Sequence, residues 1–466
     1  MRKTKIICTI GPATASFEML KQLAENGMNV ARLNMSHGSH DWHLRVISHI
    51  KRLNKKLGMA VAILLDTKGP EVRTGDIACD LALKKGDQLV LTVRRQAELE
   101  PYTVEVSHDG FVNEVETGDT ILIDGGMISL KVREISGKDI RCESLDNGVL
   151  SSRRHINVRG KSADLPSITG KDWQDIRFGV EQGVDFIALS FVRGAGAITE
   201  LRKYLTCENG SIDILAKIES AESIPHLDEI IARSDGIMIA RGDLGAELPF
   251  EEVPLLQEEI VRKCRAAGKP VVVATHMLES MIVNPTPTRA EVTDITQAVM
   301  QGADATMLSG ETATGRHPLK ALEVMDVVAR RIERQLDLDP KVRVPASDKP
   351  KPEIARCAAI LANNLQASAI LVFTRRGLMA VLLSRCRPAP PIHAFTNTTH
   401  VRRRLGIYRG VHPFLIKLSH DPEVSIRRAM DKLLLQERVK GGDRVVVVSD
   451  ILVDDKFVET VQVRVI

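Results

Sequence analysis

The sequence predicts an α/β fold: a (β/α)8 barrel, interrupted by a small all-β module and followed by a separate α/β domain. Three observations carry this. Eight short apolar runs each stop at a cluster of glycine-rich, polar or charged residues. Mostly amphipathic stretches of helical length separate them, and alternating buried strands and helices imply a parallel sheet that eight such units can close. Between the third and fourth runs, and again after the eighth, the pattern changes character.

The runs are Lys5–Ile10, Met28–Leu33, Val61–Leu65, Val184–Leu189, Ile212–Ala216, Gly236–Ala240, Val271–Ala274 and Asp304–Leu308. Their exits read TIGP, RLNMSHG, DTKGP, SFVR, KIES, ARGDLG, ATHMLES and LSGET. In a TIM barrel the carboxyl ends of the strands carry the chemistry, and most of the unusual polar residues lie at these exits. Residues 71–165 read instead as short alternating segments, with turn signals at Lys85-Gly86-Asp87, Thr117-Gly118-Asp119, Asp124-Gly125-Gly126 and Asp146-Asn147-Gly148. Strands over Gln88–Val93, Thr120–Ile123 and Ile128–Val132 fit a small β-barrel domain. Inserted in a strand-to-helix loop, that domain would sit at the active end and act as a water-excluding lid.

After the eighth unit, a helix over Leu319–Leu336 leads into a polar, proline-containing linker through Asp339-Pro340 and Val344-Pro345 to Pro350. A helix over Glu353–Leu365 and strands over Ala369–Phe373, Pro391–Phe395, Val411–Ile416, Arg444–Val448 and Val461–Val465 then form a third, regulatory domain. The expected division is residues 1–69 with 166–340 for the barrel, 70–165 for the lid and 348–466 for the C-terminal α/β domain.

Composition excludes several function classes. The 466 residues are 44% hydrophobic and 27% charged, ordinary for a soluble globular protein. A net charge of +4 and an aromatic content of 3% give no reason to expect nucleic acid or a membrane surface as partner. The seven cysteines are scattered without a CxxC pair, which argues against zinc or thiol-redox chemistry and for a cytoplasmic protein. The basic start Met1-Arg2-Lys3 precedes an apolar run too short for a signal peptide, and no run reaches membrane-spanning length.

The chemistry-bearing residues follow from the exits. Alternate residues of a strand share a face, so Lys217 and Glu219 project together if the fifth strand continues that far. An ammonium beside a carboxylate suits a divalent cation next to a transferring anion; a surface ion pair is the plainer alternative. Asp243, in Arg241-Gly242-Asp243, supplies a second carboxylate, and Mg2+ is usually held by one or two carboxylates plus substrate oxygens. The neighbouring glycines would let backbone N–H groups approach an anion, although such tripeptides are commonly plain turns. Arg32 and Arg73 suit phosphate. Asn34, Ser36, Asp66 and the Thr67 carbonyl form an oxygen set that fits a weakly bound monovalent cation. His37 reads equally as a structural histidine. Thr275 and Ser309-Gly310 either face the mouth or cap the following helices.

Taken in order, TIGPAT, ARLNMSHG, LLDTKGPEVRTG, KIES, IARGDLGAELP, KPVVVATHMLESM, PTPTRAE and GADATMLSGETATG resemble the motifs of the pyruvate kinase family over essentially the whole chain. The resemblance implies transfer of the phosphoryl group of phosphoenolpyruvate to ADP, giving pyruvate and ATP, the last step of glycolysis. It also implies roles. Lys217 would stabilise the phosphoryl group in flight, and Glu219 and Asp243 would hold Mg2+ (or Mn2+). Backbone around Gly242 and Asp243, with Thr275 and Ser309, would bind substrate, and Arg32 and Arg73 would grip the phosphoryl oxygens. Thr275 would also lie near the enolate carbon that gains a proton. Asn34, Ser36, Asp66 and Thr67 match K+ ligands, and Glu71 matches the K+-requiring form of the motif. Nucleotide contacts would come from Asn34, His37, Arg73 and Arg154, the last standing where a lysine is often found. His276 replaces a common glutamine, which implies a tuned site and not a dead one.

The third domain departs further from the family. Members regulated by fructose 1,6-bisphosphate have a loop resembling T-x-S-G-R-S; here it reads Thr374-Arg375-Arg376-Gly377-Leu378-Met379, without either serine. The glycine- and threonine-rich loop near the C-terminus is also missing, the chain running from Val448 through Ile451–Phe457 to the final strand. Thr374, Arg375, Arg376, Arg402 and Arg403 are therefore the candidate site for AMP or a sugar monophosphate in preference to the bisphosphate. A solvated basic face or a subunit contact is the alternative. The resemblance implies a homotetramer. Two other classes compete: a Mg2+-dependent pyruvate-enolate lyase or aldolase, which needs no lid and no K+ ligands, and a non-catalytic scaffold, which would be expected to lose Lys217, Glu219 or Asp243.

Overall fold

A computed structural model describes residues 1–95, 100–159, 165–208, 211–336, 344, 346–453 and 456–466. The linker residues Asp339, Pro340 and Pro345 lie outside the described residues. Each apolar run becomes a strand: β1 (Lys5–Thr9), β2 (Val30–Asn34), β3 (Ala62–Asp66), β4 (Phe186–Leu189), β5 (Asp213–Ile218), β6 (Gly236–Ala240), β7 (Val271–Ala274) and β8 (Ala305–Leu308). They pair in parallel and in sequence, and β8 closes on β1, so the sheet is a closed barrel.

Alternation along each strand sorts side chains into two layers. Ile6, Cys8, Ala31, Leu33, Ile63 and Leu65 pack outward among the helices, with Leu20, Leu23, Ile47 and Ile50. Ile7, Val30, Leu64, Phe186, Met238 and Met307 fill the barrel interior. Both faces are buried, which is why these strands read as unbroken apolar runs. Helices His40–Leu57, Glu252–Ala267 and Arg289–Gln301 end on Gly58, Gly268 and Gly302 at φ of 64°, 71° and 89°. Each glycine takes the left-handed cap that turns the chain back toward the next strand.

The interior layer continues without a break into the C-terminal domain, through Ala355, Ala358, Leu405, Ile407 and Tyr408. That domain therefore plugs the floor of the barrel, opposite the strand exits. Its sheet has the order β11-β10-β9-β12-β13, with β9 (Ala369–Phe373), β10 (Ile392–Thr396), β11 (Val411–Leu415), β12 (Arg444–Val453) and β13 (Lys456–Val465). All pairs are parallel except the last, a long antiparallel hairpin in which Val453 faces Lys456. Pro413 falls on the edge strand, where a missing N–H costs no ladder bond.

Residues between β3 and β4 form a seven-stranded sheet with its own core around Leu91, Val106, Phe111, Ile121, Leu130 and Ile140. Its two edge strands, Val72–Arg73 and Thr103–Glu105, are joined by a bridge from Thr74 to Val106. Hydrogen bonds from Gly75 N–H to Glu105 O (2.7 Å) and from Ser107 N–H to Arg73 O (2.8 Å) flank that bridge, so the sheet curls into a small barrel. Among the described residues, no helix is long and apolar enough to cross a membrane.

Candidate active site

Strand β5 runs on to Ile218, and the Lys217 Nζ meets Glu219 Oε1 at 2.8 Å. The same ammonium lies 3.0 Å from Asp66 Oδ1 and donates to Ser190 Oγ at 2.8 Å. Asp66 is fully buried, and its other oxygen accepts from Arg32 Nε at 2.5 Å; Arg32 also donates to Thr9 Oγ1 at 2.9 Å. The exits of β1, β2, β3, β4 and β5 thus converge on one buried polar cluster.

Its electrostatics follow from this packing. Burial opposes the charge of Lys217, but Asp66 and then Glu219 outweigh it and hold the ammonium well above the usual lysine range. Burial likewise opposes ionisation of Asp66, yet Arg32 and Lys217 keep its carboxyl below the usual range. Glu219 is different: burial dominates, Asp243 adds repulsion, and its pKa is pushed up to about 7 despite Lys217. Asp243 is also raised, chiefly by burial, with repulsion from Glu71 and Asp66 added against the attraction of Lys217.

At the sixth exit the chain does not turn. Helix Arg241–Glu247 starts directly after β6 and carries Asp243 in its first turn. Gly242 N–H donates to Thr275 Oγ1 at 2.8 Å, which brings the sixth and seventh exits together. Thr275 and His276 adopt φ of 64° and 55°, a costly region for residues with side chains. Arg241 supports that strained pair: its guanidinium donates to Thr275 O at 2.6 Å and pairs with Asp294 at 2.6 Å. Neither Thr275 nor Ser309 caps the helix that follows it through its side chain: the Thr275 hydroxyl donates to Ala274 O while accepting from Gly242 N–H, and among the described residues the Ser309 hydroxyl is buried without a partner.

The expected cation ligands lie at the second and third exits. Asn34 and Asp66 face each other in the β2–β3 ladder, Asn34 Oδ1 accepts from Ser36 N–H at 3.1 Å, and the Thr67 carbonyl accepts from Ser190 Oγ at 2.6 Å. His37 is exposed, and its carbonyl takes a hydrogen bond from His43 Nε2 at 2.9 Å. Arg73 pairs with Glu71 at 2.8 Å and reaches Arg153 O, and Arg154 pairs with Asp124 at 3.4 Å. The contacts of both arginines are therefore made within the inserted domain.

The candidate effector residues divide. Thr374, Arg375 and Arg376 line a cavity in the C-terminal domain with Phe373, Ser419, His420 and Ser449. Arg402 and Arg403 do not join it. Arg403 clamps Asp185 with two contacts of 3.0 Å, and Arg402 donates to Gly58 O at 2.5 Å. Arg404 pairs with Asp213 at 3.1 Å and Arg387 with Asp304 at 2.8 Å. This arginine run is an ion-paired seal between the barrel floor and the C-terminal domain. Grouping Arg402 and Arg403 with the effector loop is corrected accordingly, because Arg403 is spent on the buried Asp185 carboxylate and Arg402 on the backbone carbonyl of Gly58.

Comparisons with known proteins agree with this layout. The family model described as "Pyruvate kinase, barrel domain" matches residues 1–322, and "Pyruvate kinase, alpha/beta domain" matches residues 352–463. The chain is 52% identical over 452 residues to pyruvate kinase isozyme G, chloroplastic, of Nicotiana tabacum, covering 96% of this chain and 80% of that protein. The chain belongs to the pyruvate kinase family. Plastidial pyruvate kinase 2 of Arabidopsis thaliana is likewise 52% identical, covering 96% of this chain and 78% of its own length. The pyruvate kinase of Bacillus licheniformis is 42% identical over 460 residues, with shares of 96% and 78%. The protein is thus a phosphotransferase, and the lyase and scaffold readings are set aside.

Two residues of this pyruvate kinase site escaped the sequence reading. Ser190 stands one residue beyond β4 and connects Lys217, Asp66 and the Thr67 carbonyl. Its place at a strand exit was the available signal. Glu311 is fully buried and accepts from Leu278 N–H (2.9 Å) and Ser309 N–H (2.6 Å), tying the seventh and eighth exits together.

Proposed function

We propose that this pyruvate kinase transfers the phosphoryl group of phosphoenolpyruvate to ADP at the Lys217 cluster, with Mg2+ at Glu219 and Asp243 and K+ beside Asp66. The single observation that carries the reading is the Lys217 ammonium, buried and held charged between Asp66 and Glu219. A fixed cation in a water-poor pocket stabilises negative charge on a phosphoryl group in flight without reorganising at the moment of reaction. Arg32 adds a guanidinium from the second exit, pre-oriented by Asp66 and Thr9. The Thr275 hydroxyl and Gly242 N–H would exchange their mutual hydrogen bond for the substrate carboxylate.

The residues fit a divalent cation. Burial raises both carboxyls, with Asp243 repelling Glu219 and Glu71 repelling Asp243, so ionising the two together is costly until a cation shares the pocket. Mg2+ takes one or two carboxylates and completes its shell with substrate and water, and this pair supplies the two. Bound there, Mg2+ would neutralise charge on the enolate and phosphoryl oxygens. K+ would take the oxygens of Asn34, Ser36, Asp66 and Thr67, and replacing K+ by Na+ or a large organic cation is expected to lower turnover. Unchanged turnover would remove K+ from the account.

Three further readings complete the proposal. The Thr374–Arg376 cavity takes a phosphorylated metabolite such as AMP or a sugar monophosphate, supported by two exposed arginines at its rim. The division 1–69 with 166–340, 70–165 and 348–466 is the working domain map, and His37, Arg73 and Arg154 are the nucleotide contacts, reached when the inserted domain closes. The assembly is a homotetramer in the cytoplasm, supported by resemblance and by free cysteines, to be checked by light scattering and by imaging of a tagged chain. The reaction itself is tested by following pyruvate from phosphoenolpyruvate with and without ADP. Pyruvate released at the same rate without ADP would contradict the kinase.

A further inference from the structure

Helix Arg241–Glu247 presents Asp243 in its first turn and Glu247 one turn later, so the two carboxylates share a helix face. Glu247 is half-buried and makes two hydrogen bonds. Its Oε2 accepts from Ala221 N–H at 2.7 Å, two residues beyond Glu219. Its Oε1 accepts from Asn157 Nδ2 at 3.1 Å, and Asn157 belongs to His155–Val158, the last strand of the inserted domain before the chain returns to the barrel. One carboxylate therefore joins the segment that carries Glu219, the helix that carries Asp243, and the strand on which the inserted domain hangs. Around this junction lies a small cavity lined by Asn157, Ser220, Glu247, His155 and Phe191. Among the described residues, Asn157 Oδ1 and Ser220 Oγ are buried there without hydrogen-bond partners.

We propose that Glu247 is a positioning residue for phosphoryl transfer: it sets the separation of Glu219 from Asp243 and latches the inserted domain to that pair through Asn157. The inference rests on the reading that Glu219 and Asp243 hold the divalent cation. Glu247 itself touches no reacting atom. Its effect is geometric: without it, Ala221 N–H would be an unpaired donor next to the Glu219 exit, and the helix would lose the tie that Glu247 makes to that exit. Coupling the strand at Asn157 to the same carboxylate means that movement of the inserted domain is felt at the cation site. An acid is better suited than an amide here, since both partners donate to it.

The test exchanges the polarity of the latch. Asn157→Asp sets one carboxylate against another and should open the latch, with half-saturating Mg2+ raised by roughly tenfold or more, the scale for groups that orient metal ligands. Glu247→Ala should do the same. In the double variant Asn157→Asp/Glu247→Gln, the amide introduced at position 247 can donate to the carboxylate introduced at position 157. Its carbonyl still accepts from Ala221 N–H, so Mg2+ dependence should return toward the wild-type value. Amide exchange in strand His155–Val158 provides a readout independent of turnover, faster in Asn157→Asp and slowed again in the double variant. A double variant no better than Asn157→Asp in Mg2+ dependence overturns the positioning role, whatever the exchange shows. A wild-type protein that forms no ADP-dependent pyruvate while the exchange pattern holds would instead count against the reaction assigned to the site.

Discussion

Asp66 and Lys217 lie 3.0 Å apart, both buried, and each depends on the other for its charge. The carboxylate stays ionised because Lys217 and Arg32 flank it, and the ammonium stays protonated because Asp66 and Glu219 do. Breaking such an arrangement exposes whichever charge remains to its full desolvation cost.

Asp66→Asn should therefore leave Arg32 and Lys217 close together with one compensating charge removed. The expected loss in unfolding free energy is about 3 kcal/mol, the scale for removing one partner of a buried pair. Chemical denaturation of the variant beside wild type measures it. A change within a few tenths of a kcal/mol would show that the cluster relaxes through water.

The Glu219 carboxyl moves from an ordinary 4.5 in the unfolded chain to about 7 in the folded one. A raised carboxyl pKa means the folded state binds the proton more tightly. The resulting stability is fully present below the unfolded pKa and is lost as pH rises through about 7. Asp213, raised from 3.8 to about 7 chiefly by burial, works in the same sense. Without metal, the melting temperature should fall between about pH 5 and about pH 8. Added Mg2+ should restore stability at the upper end and do less at the lower end, where the proton competes. Glu219→Gln should abolish the Mg2+ effect while leaving the Asp213 contribution.

Arg403 and Arg376 should separate in their effects. Arg403→Ala uncovers the buried Asp185 at the barrel floor, with His400 Nδ1 (3.2 Å) and Ile63 N–H (2.9 Å) remaining as partners. A loss of about 2 to 3 kcal/mol in stability is expected. Arg376→Ala should leave stability within about 0.5 kcal/mol and change only the shift in half-saturating phosphoenolpyruvate caused by a phosphorylated effector. Equal effects of the two variants on that shift would return Arg403 to the effector site.

The barrel was legible because parallel strands buried on both faces leave unbroken apolar runs, and all eight starts fell within two residues of the observed strands. Lys217 and Glu219 were legible through the two-residue period of β5. Ser190 was not, since a serine beyond a strand carries no charge to mark it. The arginines at 402–404 were grouped with the wrong partners because a basic run does not say which carboxylates it faces. Those carboxylates do leave a mark: Asp185, Asp213 and Asp304 each stand at the start of a barrel strand, at the floor and not the mouth. Helix Arg241–Glu247 was masked by glycines that suggested a turn, and tertiary contacts of Arg241 and Glu247 tie down its two ends.

The most direct test of the Lys217 cluster compares pyruvate formation from phosphoenolpyruvate and ADP by wild type and Lys217→Met, with Mg2+ and K+ present. Loss of the fixed cation should lower kcat by about a thousandfold while the KM for phosphoenolpyruvate changes little, because the charge is used in the transition state. A folded Lys217→Met protein that keeps its kcat, or that loses only affinity, would contradict the role given to Lys217.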